Sequence, residues 1–224
     1  VQSPTASPLV EATMGGIRRT IGTAQHGKAP AVAEDVKAMC ACLSDTLKGK
    51  RDRALLLVGF AGAFRRSELA ALTLEDMEFC REGLKIHLRR SKTDQEGEGQ
   101  VKGIPYGRNT DSCPVTALQE WLEASGITSG LILRSVNKWG QIGGGISDKD
   151  VARVVKYAAS LAGFDAARYS GHSLRAGLAT SAAAAGVSER IIMQQTGHKS
   201  ERMVRKYIRE GNIFRENAAG LVGL

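Results

Sequence analysis

The stretch RALLLVGFAGAF, positions 53–64, limits what this chain can fold into more than any other. Its apolar residues run round the whole helical circumference. A helix made from it must be covered on every side by other elements. At twelve residues it is well short of the ~18 to 20 needed to cross a bilayer. It therefore reads as the central helix of a folded core, over 51–64. The chain has 224 residues and 42% hydrophobic content, enough for one sizeable domain around such a helix.

The rest of the pattern supplies the covering. Over 32–47 the residues Val32, Val36, Met39, Cys40 and Leu43 recur on one helical face. The segment RRSELAAL opens another short helix. From Met77 the period changes: in LKIHLRR, Leu84, Ile86 and Leu88 alternate with Lys85, His87 and Arg89, as in a half-buried strand. The turn CREGL precedes it. The polar loop SKTDQEGEG follows, and QVKGIPY reads as a further strand. Helices then resume. Ser112 is the expected cap of a helix with Pro114 in its first turn, ending near Gly126. Ser147 and Asp150 form a capping box before a helix that Gly163 stops. An Ala-rich helix follows GHS and stops at Gly186, and Ser188 and Ser200 cap two more. The expected fold is mainly α with a small antiparallel β-sheet, an α+β class.

Two end segments stand apart. Positions 1–30 read as a loose start, a short helix ending at Gly22 and a linker, with the domain proper over 31–224. At the other end, Phe214, Ala218, Leu221 and Val222 form an apolar stripe, giving an expected docking helix over 212–224.

Net charge is +8 and the pI about 9.5, a balance that favours a polyanion such as nucleic acid. The cysteines are 40, 42, 80 and 113, without a CxxC pair, and the histidines 26, 87, 172 and 198 are scattered. That pattern reads as reduced thiols, with no disulfide framework and no metal site.

Four motifs carry chemistry. FRRSEL places Arg65 and Glu68 three apart at a helix start. RRSKTD puts Lys92 at the tip of a hairpin. GHSLRAG sets His172 and Arg175 three apart, on one helical face. GHKSERMVRKY holds His198 and, nine positions later, Tyr207 among Arg202, Arg205, Lys206 and Arg209. Taken singly, each has an ordinary reading: a surface ion pair, a solvated lysine, a helix-start histidine, a core tyrosine.

Taken in order and spacing, the four resemble the tyrosine recombinase family, the phage integrases and their relatives. The resemblance runs from about Ala31 to Leu224. GVSERIIMQQTGHKS is similar to the spacer between that family's last two motifs. It implies Tyr207 as nucleophile, Arg65 and Arg175 as the phosphate-gripping arginines and Lys92 as general acid. His172 and His198 complete the catalytic set, and Glu68 braces it. Arg66, Arg90, Lys199, Arg202, Arg205 and Lys206 are expected to bind DNA. No metal or cofactor is implied. The partner would be double-stranded DNA at specific sites, with a homotetramer on synapsed DNA and a monomer without it. A cytoplasmic protein is expected, with no membrane association. Positions 1–30 would be the tail of a separate N-terminal DNA-clamping domain and its linker.

Residue chemistry agrees with that implication. The transition state of phosphoryl transfer spreads negative charge over non-bridging oxygens. Guanidiniums grip such oxygens bidentately and stay charged. A phenol is a poor nucleophile at neutral pH, and neighbouring cations favour its anion. A lysine on a hairpin can reach the departing 5′ oxygen. Two alternatives use the same residues: a type IB topoisomerase-like relaxing enzyme, and a DNA-binding module without catalysis.

Overall fold

The computed structural model describes residues 7–22, 27–89, 99–198, 200–212 and 222. The apolar stretch is a helix at the centre, α3 (Leu47–Ala61). It starts four residues earlier than the apolar pattern suggests, because the Thr46 side chain accepts the Gly49 N–H at 3.2 Å and caps it. Ala54, Leu55, Leu56 and Val58 are buried round the helix. A fully buried leucine contributes roughly 1.5–3 kcal/mol, so this helix anchors the core. The cap at Thr46 also divides the helix expected over 32–47. What forms is α2 (Ala33–Ala41), followed by a break at Ser44–Thr46 where the two hydroxyls meet at 3.1 Å. Val36, Met39, Cys40 and Leu43 are buried as the pattern requires.

Other helices close round α3. They are α4 (Arg66–Ala70), α5 (Pro114–Ser125), α6 (Asp148–Leu161) and α7 (His172–Ala184). On α5, Trp121 is buried and its Nε1 donates to the Ile132 carbonyl at 2.8 Å. The cap of α5 is Cys113, not Ser112: its Sγ accepts from Thr116 N–H at 3.5 Å and Gly107 N–H at 3.2 Å. Ser112 instead belongs to the 3-10 turn Thr110–Ser112 that leads in. The capping box of α6 forms as expected, with Ser147 and Asp150 exchanging hydrogen bonds. The helix α1 (Pro8–Ile21) buries none of its residues.

The predicted sheet has strands β1 (Met77–Cys80), β2 (Gly83–Leu88) and β3 (Gln100–Pro105), antiparallel in that order. Its register pairs Leu84 with Ile104 and Ile86 with Lys102. A second hairpin, β4 (Arg134–Val136) with β5 (Ile142–Gly145), was not expected from the sequence. Its strands are short, and three of β5's four residues are glycine.

The chain ends in α8 (Glu189–Thr196) and α9 (Glu201–Asn212). These rest on a separate small core made of Ala176, Ala179 and Ala183 of α7, Ile192 of α8, and Val204 and Tyr207 of α9. Gly197 ends α8 in the left-handed region, at φ 65°, and turns the chain towards α9. The stripe residues Phe214, Ala218 and Leu221 of the expected docking helix lie outside the described residues. Val222 is exposed. No helix among the described residues is long and apolar enough to cross a membrane.

Candidate active site

The site forms where α3 stops. Its last turn unwinds through Gly62 and Ala63, and Ala63 sits at φ +48°, the one non-glycine residue with positive φ among those described. The chain then enters α4 with Arg65 as its cap. Glu68 binds Arg65 twice: its Oε2 accepts the Arg65 N–H at 2.9 Å, and its Oε1 meets the guanidinium Nη1 at 2.5 Å. Glu68 is buried, so Arg65 is held by a carboxylate with little freedom of its own.

Arg175 reaches the same place from α7. It is 2% exposed, and its Nη1 donates to the Ala63 carbonyl at 2.8 Å. Burial and the Arg65 charge push its pKa down to about 10, so it stays cationic at neutral pH. His172, the first residue of α7, lies one turn before Arg175 on the same face. Its Nε2 is 2.9 Å from the Tyr207 hydroxyl. The His198 ring lies on the other approach, its centroid 6.1 Å from that of Tyr207, and its Nδ1 is 2.7 Å from Thr196 Oγ1. Both histidines are held neutral. Burial, then Arg175 and Arg65, lowers His172 below its ordinary value and His198 to about 4.

Five of the six residues expected to be catalytic therefore converge: Arg65, His172, Arg175, His198 and Tyr207, braced by Glu68. Lys92 lies outside the described residues, as do Arg90 and Lys199 among the expected DNA-binding cations. Of the others, Arg66 pairs with Asp148 at 3.0 Å. Arg205 pairs with Glu189 at 3.2 Å and Glu201 at 2.6 Å. Arg202 and Lys206 are exposed. Arg205 is next-but-one to Tyr207 in sequence but faces these carboxylates on the outer side of α9. The cations that act on the two histidines are chiefly Arg175 and Arg65. Tyr207 itself is 8% exposed and part of the small core. Its ring packs in that core while its hydroxyl reaches the His172 imidazole.

Two neighbours were not found from the sequence. Lys102 of β3 is buried at the site's base, and Gln195 of α8 lies beside it. A signal for Lys102 did exist. With Ile104 facing the core, the strand period of two places Lys102 inside and Val101, 57% exposed, outside. The apolar character of Val101 hid that inversion.

Fold and side chains together describe a site fitted to an oxyanion, with two guanidiniums facing two neutral imidazoles and a phenol. Comparison with known proteins narrows this class to one family. The sequence model of the Phage integrase family matches residues 32–212. An integrase/recombinase xerD homolog of Selenomonas ruminantium is 44% identical over 96% of this chain. A tyrosine recombinase XerC of Corynebacterium efficiens is 31% identical over 67% of it. The chain spans 64% and 44% of the lengths of these two relatives. Among solved structures, the XerH site-specific recombinase, in a post-cleavage complex with palindromic difH substrate, is similar in fold with a TM-score of 0.68. Its identity is 16%, over 88% of this chain and 54% of that one. The chain belongs to the phage integrase family.

Proposed function

We propose that this chain cuts and rejoins DNA strands as the catalytic domain, residues 31–224, of a site-specific recombinase. The observation that carries the reading is the Tyr207 hydroxyl 2.9 Å from a neutral imidazole nitrogen of His172, beside two fixed guanidiniums. Arg65 and Arg175 grip the non-bridging oxygens of the scissile phosphate and stabilise the charge that develops there. His172, with its proton on Nδ1, accepts the Tyr207 proton at Nε2. The phenolate oxygen attacks phosphorus, a 3′-phosphotyrosyl bond forms, and the bond to the 5′ oxygen breaks. Lys92 gives that oxygen its proton. His198, neutral and beside the phenol, offers a hydrogen bond to the phosphate. Religation is the same path reversed: a 5′ hydroxyl attacks the phosphotyrosine and Tyr207 leaves. Bond energy is conserved in the intermediate, so no nucleotide is consumed.

The partner under this reading is double-stranded DNA at specific recombination sites. The similar folds of XerH bound to difH substrate and of lambda integrase bound to a core site support it. So do the net charge of +8 and the exposed Arg202 and Lys206. The working assembly is a homotetramer on two synapsed sites and a monomer without DNA. A cytoplasmic setting in bacteria or their mobile elements goes with it. The test is a nicked suicide duplex, which traps the phosphotyrosyl adduct. The chain should form the adduct and Tyr207→Phe should bind without forming it. Adduct formation by the phenylalanine variant would assign the nucleophile elsewhere. Strand exchange between two sites separates a recombinase from a topoisomerase-like enzyme that only relaxes DNA.

A further inference from the structure

We propose that Lys102 is a positioning residue for this reaction, which with Gln195 fixes the end of α3 beneath the two arginines. The inference rests on the strand-cutting function proposed above. It starts from a conflict in the sheet. Lys102 pairs with Ile86 on the core face of the sheet, where Leu84, Leu88 and Ile104 are apolar, yet it is 2% exposed. A charge in such a place needs a reason beyond filling space.

The last carbonyls of a helix have no partner within it and form the negative end of its dipole. At the end of α3, three successive carbonyls are taken by side chains from three different elements. Gln195 Nε2 of α8 donates to Ala61 at 2.8 Å, Lys102 Nζ of β3 to Gly62 at 2.9 Å, and Arg175 Nη1 of α7 to Ala63 at 2.8 Å. Lys102 Nζ also donates to the Gln195 carbonyl, and Gln195 Nε2 returns to Gly103 of β3 at 3.3 Å. One small network thus ties the helix end that precedes Arg65, the strand that follows Lys92 in the sequence, and the helix that leads to His198.

Stability alone does not call for a lysine here. The charged groups facing it are Arg175 of α7 and Arg65 and Glu68 of the α4 start, and the neutral His198 lies beyond. Burial first, then the repulsion of Arg175, lowers its pKa to about 8. Its ammonium is therefore held at an energetic cost beside two other cations, the arrangement expected where a phosphate is to be received.

The experiment uses the full chain on a suicide duplex carrying either oxygen or sulfur at the 5′ bridging position. Sulfur leaves without a proton. If the parent forms no adduct, the strand-cutting reading fails, and this inference falls with it. Given a parent adduct, Lys102→Met should slow single-turnover cleavage at saturating DNA on the order of 10²-fold, equally on oxygen and sulfur, with unchanged DNA affinity. Removing the nearby cation should also raise the His198 imidazole titration above about 4 in an NMR experiment. Gln195→Ala, which leaves the charge in place, should slow cleavage in the same direction, and it decides the matter if Lys102→Met does not fold. Parent-like cleavage by either folded variant would overturn the proposal. So would rescue of Lys102→Met by sulfur, which would make Lys102 a proton donor, a loss confined to DNA affinity, or a His198 titration that does not move.

Discussion

Gly177 offers a strong test of how the site is held, because two effects of known size oppose each other there. It lies inside α7, two residues after Arg175. Helix propensity alone predicts that Gly177→Ala stabilises the protein by roughly 1 kcal/mol. The packing predicts the reverse. A Cβ on Gly177 would lie 1.7 Å from the Ala31 carbonyl oxygen and 2.4 Å from its carbon, where real contacts begin at 3.0 Å. The two backbones must part by at least 1.3 Å, the difference between 3.0 and 1.7 Å. Ala31 cannot yield freely. Its N–H donates to Ser173 at 2.9 Å, the Ala29 N–H to Arg168 at 2.7 Å, and the Ala33 N–H to Ser181 Oγ at 3.0 Å. Overpacking of this kind costs about 1–3 kcal/mol, so the clash exceeds the propensity gain. Since α7 carries both His172 and Arg175, a displacement near 1 Å should also slow cleavage about 10²-fold. Thermal melting and single-turnover cleavage on suicide DNA measure the two effects separately. A lower melting point with an unchanged rate would show that the segment at Ala31 moves and α7 does not. A higher melting point would refute the packing argument outright.

Further expectations concern charge and protons. Lys92→Ala should slow cleavage severely on ordinary DNA and far less with sulfur at the 5′ bridging position; equal defects on both would remove Lys92 as the general acid. Both site histidines titrate below their unfolded value of about 6.5. Their contribution to stability is therefore complete above that pH and is lost as pH falls through the folded values, about 4 for His198. Denaturant midpoints should drop on acidification over this window, and cleavage should fall as His172 gains the proton that blocks Nε2. A midpoint constant from about pH 7 to about pH 4 would contradict those shifts. DNA affinity should decline steeply with salt, as cations displace counterions along the phosphates; a salt-independent affinity measured by titration would point to another partner.

Much of this site was legible because its parts are local in sequence. The Arg65–Glu68 and His172–Arg175 spacings are single helical turns, which periodicity reads directly. The centrality of α3 followed from its all-round apolar surface. What escaped has physical causes. The start of α3 depended on a hydroxyl cap at Thr46, and the cap of α5 on the sulfur of Cys113, a residue seldom weighed for that role. The β4–β5 hairpin has too few side chains to show a period. Lys102 and Gln195 act through carbonyls 40 and 134 positions away in the chain, a relation no local window contains.

The separate small core under α8 and α9 has a consequence for exchange with solvent. Three of its six buried members are alanines, which offer little area to remove from water. Tyr207 is the largest of them, so the ring assigned to the proposed chemistry also supplies much of the grip of its own helix. Amide protons of α9 should therefore exchange faster than those of α3, through opening events well below the global unfolding free energy. In the proposed reaction, each departure of the ring from its seat towards a phosphate would cost the helix that carries it an anchor. In the proposed phosphotyrosyl intermediate the duplex, in place of the alanine row, would be its tether.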